Sequence, residues 1–395
     1  MKLLVITQYF YPETFRVNAL CTELVKRGHD VTVLTGFPQY PQGRIYSGYG
    51  FHKEYERVWN GIKVIRLRVL PRGRTPLGLL LNCWSFVHEG KKWVRSCTEH
   101  YDAVYVFEVS PVTVGLPAAA YKKKFGAQLF FNVQDLWPEN VEVVLGVKNR
   151  LVIGVINRIV NHIYEASDKI LCASRSFVEN IAARGVAREK LVFWPQFCEE
   201  PDLSCLRRPG CYDKSFFNIV FAGNLGTAQG LDMLIDAASF LKDAPVRWYL
   251  VGDGRAKEHL RRRVTECGLQ DNVLFMGKVT EAEANCYVHY ADCAYLSFQD
   301  NAVFDMTIPA KLQTYLACGT PVLAAAGGES RDIIMENHCG VVCGRDGRDI
   351  AQSVRWMLSS RQILHTMGTN ARACYEERFT PKRLLDELEA LLPQG

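Results

Sequence analysis

Short apolar runs alternate along this chain with stretches in which apolar positions recur every three or four residues, the pattern of strands and amphipathic helices in turn. Residues 3–7 form an apolar run. Residues 16–27 then set Val17, Leu20, Cys21, Leu24 and Val25 on one helical face, Gly28-His29 ends the helix, and 31–34 begin a second run. Strand, helix and strand in that order predict a βαβ unit and a parallel sheet. Runs at 64–69, 103–107, 128–133 and 169–173, with helical segments such as 117–125 and 151–166 between them, extend it into one α/β domain. After 191–194 the text changes to Pro195-Gln196-Phe197-Cys198-Glu199-Glu200-Pro201 and a polar stretch up to Lys214, which reads as a linker. A second series follows, with strands at 218–222, 247–251, 273–276, 293–297 and 322–325 and helices at 230–241, 256–267, 281–290 and 310–318. Segments 349–359 and 362–379 read as helices, and 382–392 as another, able to pack back on the first domain. The expectation is an α/β protein of two Rossmann-like doubly wound domains, 1–196 and 197–375, plus a C-terminal helix in 376–395. Tandem domains of this kind imply a cleft faced by the carboxyl ends of both sheets.

With 395 residues, 48% hydrophobic and 23% charged, the chain has ample material for two cores, and 11% aromatic residues exclude a disordered or fibrous protein. The net charge of +5 is unevenly spread. Residues 1–200 hold 26 Lys and Arg against 18 Asp and Glu, the remainder 21 against 24. Between Arg44 and Arg95, 11 basic residues face three acidic ones, a patch suited to phosphates, nucleic acid or an anionic membrane, or else a solvated face. The 14 cysteines include no C-x-x-C pair and lie mostly in apolar segments, so reduced, buried thiols are expected and no metal site. The first apolar run is too short for a signal peptide, and no run reaches the ~18 residues that span a bilayer. A cytoplasmic protein with at most peripheral membrane contact is the expectation.

The candidate chemistry lies at strand ends of the second series. Gly223-Asn224-Leu225-Gly226 ends one strand and leads through Thr227-Ala228-Gln229-Gly230 toward a helix; Val251-Gly252-Asp253-Gly254, followed by Arg255, ends the next; Phe275-Met276-Gly277-Lys278-Val279-Thr280 ends a third. Glycine allows close backbone approach to a ligand, and unpaired amides at a helix start attract phosphate. A strand-to-helix turn also takes glycine for purely structural reasons. Pro309 suits the first turn of the helix at 310–318, on which Lys311 supplies a fixed positive charge.

These elements, with Ala291-Asp292, Cys318-Gly319-Thr320-Pro321-Val322 and Gly327-Gly328, resemble the retaining glycosyltransferases of the large family 4, which have the two-domain GT-B fold. In the first domain Gln8-Tyr9-Phe10-Tyr11-Pro12-Glu13, Arg16-Val17-Asn18, Pro38-Gln39-Tyr40-Pro41 and Asp135-Leu136-Trp137-Pro138-Glu139 look like the O-antigen and capsule branch typified by bacterial L-fucosamine transferases. The resemblance implies a nucleotide diphosphate sugar, UDP-linked, held by Gly223, Asn224, Leu225, Gly226, Gln229, Gly252, Arg255, Gly277, Lys278, Val279, Asp305, Ala310 and Thr314. It implies Lys311 at the leaving diphosphate and Asp135 at the acceptor hydroxyl. No metal or other cofactor and no nucleic acid is implied. Two departures stand out: Asn224 and Gln229 occupy positions where most members carry Arg and Lys, and the paired glutamates fall on Met306, beside Asp305, and Thr314.

Asp135 follows an apolar strand and either orients the acceptor or caps a helix. Glu13, Arg16 and Asn18 either hold the acceptor or cap the first helix. Leu77, Leu80, Leu81 and Trp84 recur at helical spacing ahead of Lys91, Lys92 and Arg95. That segment either docks on the inner leaflet to reach a polyprenyl-diphosphate-linked saccharide or is an ordinary core-facing helix. Rival readings are a GT-B sugar-nucleotide 2-epimerase and a non-catalytic nucleotide-sugar-binding subunit.

Overall fold

In the computed structural model, which describes residues 1–51, 57–73, 75–147 and 149–393, the apolar runs pair side by side as two separate sheets. The first has eight strands in the order Val58–Trp59, Ile62–Arg66, Asp30–Thr35, Lys2–Thr7, Ala103–Glu108, Gln128–Val133, Lys169–Cys172 and Leu191–Phe193. The second has six, ordered Val273–Gly277, Val246–Val251, Phe217–Ala222, Cys293–Ser297, Val322–Ala325 and Gly340–Val342. Every pairing is parallel except Val58–Trp59 with Ile62–Arg66.

Continuous apolar runs are what a strand buried on both faces requires, because successive side chains point to opposite sides. The second sheet shows this directly. Ile219, Phe221, Trp248, Leu250 and Tyr295 feed one core, and their neighbours Val220, Ala222, Tyr249, Val251 and Leu296 feed the other. The strand order reverses beside Lys2–Thr7 in the first sheet and beside Phe217–Ala222 in the second, and such reversal points are where doubly wound sheets bind ligands.

The chain divides into two compact units, one of Met1–Trp194 together with the residues from Glu387 on, the other Pro195–Asp386. In the first unit the Glu389 carboxylate meets Arg27 Nη1 at 2.7 Å and His29 Nε2 at 2.8 Å.

Three expectations need correction. The strand expected at 64–69 is Ile62–Arg66, and it turns back on Val58–Trp59 through Asn60 and Gly61, both at positive φ, the chemistry of a tight hairpin. Residues 195–214 are no free linker: Cys198, Leu206 and Tyr212 are buried, the Tyr212 hydroxyl donates to Tyr287 O at 2.7 Å, and Cys198 N donates to Phe379 O at 2.9 Å. The helix expected at 230–241 begins only at Asp232, because Gly230 at φ +60° closes a separate short turn over Thr227–Gln229. All fourteen cysteines are free thiols. Among the described residues no helix is long and apolar enough to cross a membrane.

Candidate functional site

In the second unit the three glycine turns are laced into one surface by backbone hydrogen bonds. Gly223 N donates to Val251 O, Leu225 N to Asp253 O and Gly252 N to Gly277 O, at 2.7–2.9 Å. Two of the glycines, Gly252 and Gly254, are sterically obligatory. A Cβ on Gly252, which sits at φ +134°, would lie 1.9 Å from Gly223 O, and one on Gly254 would lie 2.4 Å from Leu225 O.

Lys311, from the first turn of helix Ala310–Ala317, reaches across this surface, and a Cβ on Gly223 would meet its Cδ at 2.9 Å. Its Nζ donates to Gln229 Oε1 and stands 4.5 Å from the Phe221 ring centre and 5.3 Å from that of Phe298. Gln229 is held in turn by Ser297, whose hydroxyl donates 2.7 Å to its carbonyl. Two ring faces and one amide oxygen replace water poorly, so burial lowers the amine from its ordinary value to about 7. Among the described residues no carboxylate neutralises it. An arriving diphosphate is the kind of partner that restores the full charge.

The other expected donor residues fall around this point unequally. Asp305 is committed to Arg345, which also takes Asp300, and it packs against Gly327-Gly328, where a Cβ on Gly328 would lie 1.9 Å from its carbonyl oxygen. The Thr314 hydroxyl donates to Ala310 O at 3.2 Å within its own helix. Arg255 and Lys278 are exposed at the rims of their turns, Val279 is half-buried, and Ala310 is the exposed first residue of the helix, after Pro309 as its cap rather than its first turn. The strand end itself is pinned by the buried Tyr315, whose hydroxyl accepts from Ala222 N at 3.1 Å.

In the first unit Asp135 lies just beyond strand Gln128–Val133, and its Oδ2 accepts from both Ser110 N, at 3.1 Å, and Ser110 Oγ, at 2.6 Å. The following helix starts at Glu139 with Pro138 as its cap and no side-chain capping bond, so the helix-cap alternative for Asp135 falls. The sequence reading missed its neighbour. Glu108, fully buried at the end of strand Ala103–Glu108, accepts from Gln134 N and Asp135 N, each at 3.2 Å. Burial first and the Asp135 charge second push its carboxyl well above the ordinary value. An acid closing an otherwise apolar run, Ala103-Val104-Tyr105-Val106-Phe107, was the available signal.

Glu13 is buried as well. Its Oε1 accepts from Gln39 N at 2.8 Å and Tyr40 N at 2.6 Å, its Oε2 from Phe10 N at 3.3 Å, and burial raises its carboxyl. Asn18 Nδ2 donates to Glu13 O at 2.7 Å. Helix Arg16–Lys26 has Phe15 as its cap and no side-chain capping bond, so these residues build the loop rather than cap the helix. Arg16 is half-buried on its first turn. Tyr9 and Phe15 stack at 5.1 Å, with the exposed Tyr40 tilted against both.

Helix Pro76–Ser96 presents its apolar N-terminal residues to solvent: Leu77 is 66% exposed, Leu80 67% and Trp84 60%, with Leu81 beside them. The core-facing alternative is therefore wrong for these four. Lys91, Lys92 and Arg95 continue along the exposed side. The inward side is partly polar and fully partnered. Asn82 accepts from Gln8 Nε2 at 2.9 Å and donates to Leu70 O at 2.6 Å, and the Ser85 hydroxyl accepts from Leu70 N at 2.9 Å.

Family comparisons agree with this arrangement. Residues 14–196 match the glycosyl transferase 4-like domain and residues 217–360 match glycosyl transferases group 1. The chain is a group 1 glycosyltransferase. This glycosyltransferase is 26% identical over 337 residues to WcaI of Escherichia coli (strain K12), a protein named as a colanic acid biosynthesis glycosyl transferase, covering 81% of this chain and 82% of that one. It is 25% identical to the glycosyltransferase WbjE of Pseudomonas aeruginosa, covering 53% and 54% of the two chains. Among solved structures it resembles Anabaena HepE in complex with UDP, with a TM-score of 0.73 at 16% identity over 99% of both chains. WaaG, a glycosyltransferase of lipopolysaccharide biosynthesis, aligns over 100% of both chains with a TM-score of 0.67 at 15% identity. At such identities the likeness is one of fold: the glycosyltransferase consists of two Rossmann-like units of the GT-B class.

Proposed function

We propose that this glycosyltransferase moves a sugar from a UDP-linked donor to a polyprenyl-diphosphate-linked saccharide in the assembly of a surface polysaccharide such as O-antigen or capsule, with retention of anomeric configuration. The observation that carries the reading is Lys311, a half-buried amine with no carboxylate partner among the described residues, set among three glycine turns at the reversal point of the second sheet. HepE, which shares the fold, binds UDP, and WcaI and WaaG are named for polysaccharide and lipopolysaccharide synthesis. The first-unit motifs around Glu13 and Asp135 favour N-acetyl-L-fucosamine as the sugar.

Bond cleavage leaves growing negative charge on the diphosphate. Turn amides near Gly223 and Gly252 and the Lys311 ammonium meet that charge without reorganising, so neither a metal nor another cofactor is needed. Gly223, Asn224, Leu225, Gly226, Gln229, Gly252, Gly277, Val279 and Ala310 line the donor, with Arg255 and Lys278 at its rim. Asp305 and Thr314 act behind it, holding the Gly327-Gly328 turn and the helix. Asp135, aimed by Ser110 and backed by Glu108, orients the acceptor hydroxyl. Arg16 supplies charge for an acceptor phosphate on the loop that Glu13 and Asn18 build. The enzyme works at the cytoplasmic face of the membrane, docked through Leu77, Leu80, Leu81 and Trp84 with Lys91, Lys92 and Arg95 over the lipid headgroups.

The test is transfer from a panel of UDP-sugars to lipid-linked saccharide in isolated membranes, for the wild type and Asp135→Asn. A product with UDP-N-acetyl-L-fucosamine, and at least ~100-fold lower turnover in the variant with UDP affinity intact, is expected. An epimer formed from donor alone, without acceptor, overturns the reading.

A further inference from the structure

A second helix of the first unit, not singled out by its sequence, repeats the arrangement of helix Pro76–Ser96. Helix Arg150–Ala166 is capped by Asn149, and its first turns expose Leu151, 82% accessible, with Val152 and Val155; its buried residues, Val160, Ile163 and Tyr164, come only later. Exposed Arg150 and Arg158 bracket the apolar turns. In both helices the exposed apolar residues come in the N-terminal turns; Lys91, Lys92 and Arg95 follow them in one, and Arg158 follows in the other, whose first residue is Arg150.

The topology brings those N-terminal turns to one edge. Each helix leads by a short connection into a parallel strand, Pro76–Ser96 into Ala103–Glu108 and Arg150–Ala166 into Lys169–Cys172, so each runs opposite to the strands and starts at the edge where the strands end. Both pack on the same neighbours, the short turn Val112–Val114 and helix Gly115–Phe125. Ser110 and Asp135 lie on that edge, just past the ends of their strands.

At about 1.5 Å rise per residue, Trp84 stands ~10 Å behind Leu77, Lys91 ~20 Å behind it, and Arg158 ~10 Å behind Leu151. In helix Pro76–Ser96 the apolar tip, then an aromatic ring, then cations follow the depth order of a membrane interface, where apolar side chains enter ~5–10 Å and cations remain among the phosphates; in Arg150–Ala166 the apolar turns lie between two cations. We infer that the N-terminal turns of helices Pro76–Ser96 and Arg150–Ala166 form one face that docks on an anionic bilayer, which sets the Ser110–Asp135 edge at headgroup level. Exposed apolar turns flanked by cations fit an anionic lipid surface, whereas a second copy of the chain would bring the same cations against each other. The inference deepens the acceptor side of the proposed function, and its test needs no turnover.

The full chain is floated with vesicles of phosphatidylethanolamine containing phosphatidylglycerol and, separately, with pure phosphatidylcholine. Leu151→Ser/Val155→Ser and Leu80→Ser/Trp84→Ser are run alongside, with thermal melts to confirm intact folding. Each pair is expected to lower the vesicle-bound fraction by at least about fivefold, and the two together to abolish it. Wild-type binding by Leu151→Ser/Val155→Ser overturns the inference, as does a wild-type chain that ignores anionic vesicles but forms a dimer lost in that variant. Vesicle binding by a chain that transfers no lipid-linked sugar leaves the docking face standing and rejects the proposed function alone.

Discussion

The Lys311 amine makes nucleotide binding a proton-uptake reaction. With burial holding it at about 7, only about a tenth of the free protein carries the ammonium at pH 8. Pairing with a diphosphate needs the charged form, and generating it costs about 1.4 kcal/mol at pH 8 and about 2.7 kcal/mol at pH 9. UDP affinity therefore falls about tenfold per pH unit between pH 8 and 9, above the range in which the terminal phosphate of UDP itself titrates. An unperturbed lysine stays charged across this range and gives no slope. Titration calorimetry in buffers of different ionisation enthalpy reads the effect twice, as the fall in affinity and as close to one proton taken up per UDP bound at pH 8. Lys311→Gln is expected to bind more weakly at pH 7, with no slope and no proton uptake. A wild-type affinity that is level from pH 7 to 9, or a Lys311→Gln variant that keeps the slope, refutes the assignment of this lysine to the diphosphate.

Two further outcomes follow from close packing and burial. Gly252→Ala places a methyl 1.9 Å from Gly223 O at a positive φ, so it is expected to cost about 2–4 kcal/mol in thermal or denaturant unfolding and to abolish UDP binding; a variant with wild-type UDP affinity removes the glycine turns from the donor site. The Glu108 carboxyl holds its proton to higher pH in the folded chain than in the unfolded one, so above the ordinary glutamate value the folded state binds more protons and stability falls as pH rises toward the raised value, by at most about 1.4 kcal/mol per unit. Glu108→Gln keeps an acceptor for the Gln134 and Asp135 amides and is expected to flatten the stability profile just above the ordinary glutamate value; an unchanged slope there rejects a raised Glu108.

Periodicity within a segment reports that segment and little beyond it, which is why the strands and glycine turns were legible and their partners were not. Apolar runs announced both sheets because parallel strands must be greasy on both faces. The Lys311–Gln229 contact joins residues 82 apart and depends on two connections folding back to one strand end. Glu108 and Asp135 meet only because Ala103–Glu108 pairs with Gln128–Val133 in a particular register. The spacing of Leu77, Leu80, Leu81 and Trp84 identifies helix Pro76–Ser96. Which side faces inward was settled by Gln8 and Leu70, which supply partners for Asn82 and Ser85 and free the leucines to face water. The stretch 195–214 looked like a linker from composition, yet Tyr212 and Cys198 are anchored by groups far along the chain.

The grip of Glu389 on Arg27 and His29 has a temporal side. On the ribosome, residues 387 onward appear only after the entire Pro195–Asp386 unit has been made. The earlier unit therefore waits through the synthesis of its successor without the Glu389 carboxylate beside Arg27 and His29, and gains that contact only after it.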